Sequence, residues 1–174
     1  MAYTNNTQMA AWIAPCNIGQ VAAGSPLNQA YASQVSYLER SAAAGTMILQ
    51  IPIVLPANAA YRVGAYLQSV DLVYKINTAD ATDFATVDLN KITVVPATGS
   101  NTTFSGASQT VSLDSTHNTA ALRKIQGTHT MTVTPATPPW IDHDEQYVLA
   151  CTIACAATTV LQVFGARANF TLRV

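Results

Sequence analysis

The chain has 174 residues, enough for one domain with a real core, since about 150 residues bury roughly 70% of their extended-chain surface. Apolar residues make up 49% and charged residues only 10%, well under the typical ~25%. The net charge of −1, with no basic run, excludes the electrostatic footprint of a nucleic-acid binder and of a protein that docks on anionic membrane.

Thr, Ser, Asn and Gln carry the polar load instead. A surface short of Lys and Glu is tolerable where neighbouring subunits cover it, which points to an assembly component; the plainer explanation is that Thr suits strands. The N-terminus has no basic start followed by a continuous apolar run, so no signal peptide is read and synthesis in a cytoplasm is expected. No window approaches the ~18 to 20 uninterrupted apolar residues of a membrane span. The three cysteines, Cys16, Cys151 and Cys155, show no CxxC pattern and read as small buried hydrophobes.

Residues 1 to 38 contain no Asp, Glu, Lys or Arg, yet they carry Trp12, Ile13, Ile18, Tyr31 and Tyr37. A solvated tail is usually charged and poor in aromatics. This segment therefore reads as an extended arm, residues 1–40, lying on protein, either its own domain or a neighbour. Within it, 33–38 suits a short strand, and 26–32 a helical turn with Ser25 as N-cap and Pro26 at the first helical position. Residues 41–45 form a small-residue hinge.

The β-sandwich domain is expected over 41–174. Met47, Leu49, Ile51, Ile53 and Leu55 fall on one face at period two, although Pro52 suits only an edge strand or a break. Leu67, Val70, Leu72, Tyr74 and Ile76 face inward next, with Gln68 on that face and Ser69, Asp71 and Lys75 outward. The following strand, 84–95, shifts its inward set from Val87 and Leu89 to Ile92 and Val94, which predicts a β-bulge near Asn90 and Lys91. Residues 96–109 read as a long loop, 110–113 as a short strand and 122–134 as a further strand. Tyr147, Leu149, Cys151, Ile153 and Cys155 form the core face of the next strand, and the last, 159–174, shifts register near Gly165. Seven or eight strands, turn residues between them and no long helix predict an all-β, antiparallel β-sandwich, jelly-roll-like, with an extended N-terminal arm.

No constellation marks a reaction. Asp142, His143, Asp144 and Glu145 are the one dense cluster of ligand-type residues; without a glycine-centred calcium loop they read as a solvated turn. His117, His129 and His143 lie far apart in sequence, and neither a Gly-x-Ser-x-Gly elbow nor HExxH is present. Asp80 with Asp83, or Asp142 with Asp144, would be the carboxylate pairs for a glycosidase, but carboxylates in polar loops usually form turns. No catalytic residue, metal ligand or cofactor is assigned, the chain is not read as an enzyme, and a small-molecule ligand is not expected. Trp140 reads as a sugar-stacking surface, as an anchor at a subunit interface, or as a cap on the sandwich core. The residues assigned to partner binding are Trp12, Ile13, Ile18, Tyr31, Tyr37 and Trp140.

The chain resembles the small β-sandwich virion proteins of tailed bacteriophages, especially capsid decoration (cement) proteins. The resemblance lies in the stretches 51–56 (IPIVLP), 67–76 (LQSVDLVYKI) and 81–88 (ATDFATVD), and in the weakly charged style with its uncharged arm. It implies a homotrimeric knob on the capsid exterior that braces the head by bridging neighbouring copies of the major capsid protein, with the loop 96–109 at an exposed end. A receptor-binding or fibre-tip, lectin-like module, with its site at Trp140 and the 142–145 loop, is the alternative.

Overall fold

Alternation between buried and exposed side chains builds two antiparallel sheets, described here from a computed structural model for residues 6–22, 26–54, 65–95, 103–141 and 145–173. The strands in chain order are β1 (Asn6–Ile13), β2 (Gly19–Ala22), β3 (Asn28–Ala32), β4 (Val35–Arg40), β5 (Gly45–Ile53), β6 (Ala65–Asn77) and β7 (Asp83–Val95). They continue as β8 (Thr103–Gln109), β9 (Val111–Leu113), β10 (Gly127–Pro135), β11 (Trp140–Ile141), β12 (Glu145–Cys155) and β13 (Val160–Arg173). A 3-10 turn at Pro15–Asn17 and a single-turn helix α1 (Ala120–Arg123) are the helical elements among the described residues. The first sheet runs β3-β4-β13-β6-β10-β9, with β1 also on β13 and β11 also on β6; the second runs β2-β5-β12-β7-β8.

The all-β sandwich expected from periodicity is the observed architecture. In β5, Met47, Leu49, Ile51 and Ile53 are buried, and in β12 so are Tyr147, Leu149, Cys151, Ile153 and Cys155. Facing them across the core are Leu67, Val70, Leu72, Tyr74 and Ile76 of β6 and Leu161, Val163, Ala166, Ala168 and Phe170 of β13. Each Val, Leu, Ile, Met or Phe side chain among them, removed from water, contributes on the order of 1.5–3 kcal/mol.

The described part of 1–40 lies on its own domain, one of the two placements expected for it, while several other local expectations are corrected. β1 pairs along β13 from Asn6↔Arg173 to Ile13↔Ala166, β2 pairs with β5, and β3 and β4 form a hairpin joined to β13. The strand total is accordingly higher than seven or eight. Asn28–Ala32 is strand rather than helical turn, because the hairpin turn at Ser33 and Gln34 takes positive φ at both residues and returns β4 against β3.

β5 is not an edge strand: β2 and β12 flank it, although β2 reaches only Met47–Gln50, so Pro52 lies where that side is open. The bulge of β7 sits at Ala85, not at Asn90 and Lys91, which pair regularly with Val148 and Tyr147. Arg123 explains the position: buried behind α1, it donates from Nε and Nη2 to the Phe84 carbonyl and from Nη2 to the Ala85 carbonyl. The register shift near Gly165 is observed. A second shift leaves Gln68 as an extra residue on β6, so Leu67 and Val70 both point inward. Thr103–Gln109, expected in a loop, forms β8, and 120–123 is helix before β10 begins.

Candidate functional site

The six residues assigned to partner binding divide by strand parity. On β1 the outward positions are Gln8, Ala10 and Trp12, and Ile13 turns into the core. Ile13 and Ile18 are both buried and cannot meet a partner; packing between the sheets claims them. Trp12 is 57% and Tyr31 72% exposed. Tyr37 is half-buried beside Phe164, ring centroids 5.4 Å apart. Trp140 meets Tyr66 edge to face at 4.5 Å, so its ring belongs to an aromatic pair on the outer face of the first sheet. Of the cluster 142–145, residues 142–144 lie outside the described residues, while Glu145 opens β12 and pairs with Lys91.

Trp12 owes its setting to Gly165. That glycine has φ +126°, and a Cβ there would stand 2.7 Å from the Ile13 carbonyl oxygen and 2.9 and 3.2 Å from Cζ2 and Cε2 of Trp12. The indole therefore lies against bare backbone where β13 shifts register, and its outer surface faces solvent. Directly opposite Trp12 on β13 is Arg167, and beyond it on β6 is Asp71. Arg167 donates to Asp71 Oδ2 from Nε at 3.1 Å and from Nη2 at 2.8 Å. Asn169 Nδ2 donates to the same oxygen at 3.0 Å and to Ser69 Oγ at 2.9 Å, and Thr132 donates to Oδ1 at 2.8 Å. Burial by itself would raise the Asp71 carboxyl, but the hydrogen bonds from Arg167, Thr132 and Asn169 outweigh it and hold the group below its ordinary value. Sequence parity had placed Asp71 on the wet face; it is on that face, yet covered by its partners.

The fold also unites two of the three histidines. His117 Nδ1 lies 2.8 Å from Asp114 Oδ1, His117 Nε2 3.1 Å from His129 Nδ1, and His129 Nε2 3.0 Å from the Ile125 carbonyl. Tyr74 stacks on the His129 ring at 4.7 Å and donates to the Arg123 carbonyl. Both nitrogens of both rings are engaged and both rings are buried, so the chain braces the 114–125 segment against the sheet and leaves no nitrogen for a substrate. Spacing alone gave no sign of this, because the segment folds back across β10. Cys151 is buried, which pushes its thiol up to about 12; Cys155 is likewise buried, while Cys16 is exposed rather than core. Among the described residues no group of three or more His, Cys, Asp or Glu side chains is placed to hold a metal, and no helix is long and apolar enough to cross a membrane.

Six strands, β1, β2, β3, β8, β9 and β11, pair on one side only among the described residues. None contains Asp, Glu, Lys, Arg or Pro. The outer face of the second sheet carries a shallow depression of about 400 Å³, floored by Pro52, Val148 and Ala150 and rimmed by Asn17, Gln50, Asn90 and Gln146.

No protein-family model matches the chain, and no curated protein matches it. Among solved structures it is similar to the module TmCBM61 in complex with β-1,4-galactotriose, at TM-score 0.37 and 10% identity over 94% of this chain and 88% of that one. It is also similar to an arabinose-bound α-L-arabinofuranosidase, MgGH51, at TM-score 0.38 and 8% identity over 91% of this chain and 24% of that one. At these scores the likeness is loose and assigns neither family nor ligand.

Proposed function

We propose that the protein is a structural virion component of the capsid-decoration type, sitting on the capsid exterior as a homotrimer and bracing neighbouring copies of the major capsid protein. The observation that supports this reading is the chemistry of the strand edges. An unpaired edge presents a row of N–H and C=O groups, and monomeric β proteins block it with lysine, proline or inward charge. Among the described residues β2, β9 and β11 are blunted by being very short, but the longer edges β1, β3 and β8 carry none of these. Tyr31 and Val35 add exposed apolar surface on the β3–β4 hairpin. Such edges suit permanent neighbours, and many modest contacts add through multivalency. The mechanism is non-covalent and needs no catalytic group.

The test has two arms. Light scattering on the purified protein is expected to give a trimer, and Gln29→Lys with Tyr31→Lys on β3 is expected to weaken self-association or particle binding without lowering the melting temperature. Particles stripped of the protein are expected to burst at lower temperature and to recover on adding it back. A monomer at every concentration that leaves particle stability unchanged would remove the proposal.

A further inference from the structure

We infer that the Trp12 surface of the first sheet is a binding site for neutral saccharides that present a pair of adjacent hydroxyl groups. Two features of the outer face carry it. The first is the way Trp12 is held. A tryptophan that anchors a protein partner projects into the partner's pocket. Trp12 instead lies against the Gly165 backbone and offers a broad surface while remaining 57% exposed. An exposed indole seated on sheet backbone serves as a platform for the apolar C–H face of a sugar ring, and rings of this kind recur in ligand sites with few, well-placed polar groups.

The second is the hydrogen-bonding capacity left over beside that platform. Arg167 spends Nε and Nη2 on Asp71, and among the described residues Nη1 has no partner. Asn169 spends Nδ2 on Ser69 and Asp71, and among the described residues its Oδ1 accepts nothing. These two residues are i and i+2 on β13, so their side chains share a face about 7 Å apart along the strand. One offers a donor and the other an acceptor, the combination that adjacent hydroxyls satisfy, since each hydroxyl both donates and accepts. Asp71 neutralises the guanidinium, so the site carries no net charge to select an acidic sugar. Ala10, opposite Asn169, puts only a methyl group between Trp12 and Gln8 on that face.

The inference is independent of the assembly reading, and it places the sugar surface at Trp12 rather than at Trp140. The experiment uses the whole protein with a panel of neutral di- and trisaccharides of gluco, galacto and manno configuration. Because the chain has two tryptophans, a Trp140→Phe variant leaves Trp12 as the only indole, and its emission is expected to shift on titration with at least one sugar. Trp12→Ala and, separately, Asn169→Ala are expected to weaken that binding about tenfold or more, with folding checked by melting. Silence of Trp12 across the panel overturns the inference. So does binding that survives both substitutions, which would move the site to a place such as the carboxamide-rimmed depression on the second sheet. Loss of self-association in Trp12→Ala with no saccharide bound by the parent would make Trp12 a protein anchor, and that also overturns it.

Discussion

Replacing Gly165 by alanine isolates the contact on which the Trp12 surface depends. The backbone there has φ +126°, a region that costs an L-residue roughly 1–3 kcal/mol. The added Cβ would also stand 2.7 Å from the Ile13 carbonyl oxygen and 2.9 Å from the Trp12 ring. The ring can turn away, but the carbonyl is backbone, held in register by the pairing of β1 with β13. Relieving that overlap means moving β1, at a further cost of roughly 1–3 kcal/mol by analogy with overpacked cores. The expected loss is therefore about 4 kcal/mol, or roughly 8–16 °C in melting temperature for a chain of this size. Gly106 and Gly127 serve as controls. A Cβ at Gly106 meets nothing within 4 Å, and one at Gly127 meets only the His129 ring at 3.5 Å, although its φ of +152° still disfavours alanine. Urea denaturation followed by circular dichroism should rank the three as Gly165→Ala far worse than Gly127→Ala, with Gly106→Ala near neutral. A Gly165→Ala loss under about 1 kcal/mol, with Trp12 emission unchanged, would refute the reasoning.

Arg40 is fully buried, donates from Nη1 to the Gly45 carbonyl at 2.9 Å, and among the described residues has no oxygen partner for Nε or Nη2, with the Cys155 thiol its neighbour. Arg40→Met is expected to be neutral or stabilising by up to about 2 kcal/mol in urea midpoint analysis, because a buried cation is replaced by matching apolar volume. Asp71 and Asp114 are both held below the ordinary carboxyl value. For Asp114, burial is outweighed by hydrogen bonds from the Thr116 hydroxyl, the Thr132 N–H and His117. A carboxyl held low stabilises the fold above its unfolded pKa near 4, and that contribution is lost as pH falls through the native value. Urea midpoints should therefore drop steadily below about pH 4, and less steeply in Asp71→Asn; equal slopes would contradict the assignment. In thiol labelling at neutral pH, Cys16 is expected to react quickly in the folded protein, and Cys151 and Cys155 only after denaturation.

The strands easiest to read from sequence were those with one dry face. Met47 to Ile53 and Tyr147 to Cys155 alternate because each faces the opposite sheet with one side only. β3 could not be read this way: four of its five residues are exposed, on both faces, so no alternation exists to detect. β1 looked like a reaching arm because its partner, β13, is at the other end of the chain, and no local pattern reports a pairing at that distance. The bulge at Ala85 was missed for a related reason. It is set by Arg123, which arrives from α1 to bind the Phe84 and Ala85 carbonyls. At the candidate site, the sequence singles out Trp12 as an aromatic on an uncharged segment expected to lie on protein, and its 57% exposure comes only from the structure. Ile13, one residue on, was misassigned because parity on an unrecognised strand was unavailable. The Asp71, Arg167 and Asn169 cluster draws on two strands and could emerge only from register.

β13 is the shared partner of β1, β4 and β6. During synthesis, the strands at the front of the chain wait for residues 160–173 before the first sheet can close. Contacts of such wide sequence separation make for slow folding, and the waiting chain displays uncharged strand edges throughout. Crowded production of this protein should therefore depend on how long ribosome-bound copies are kept apart.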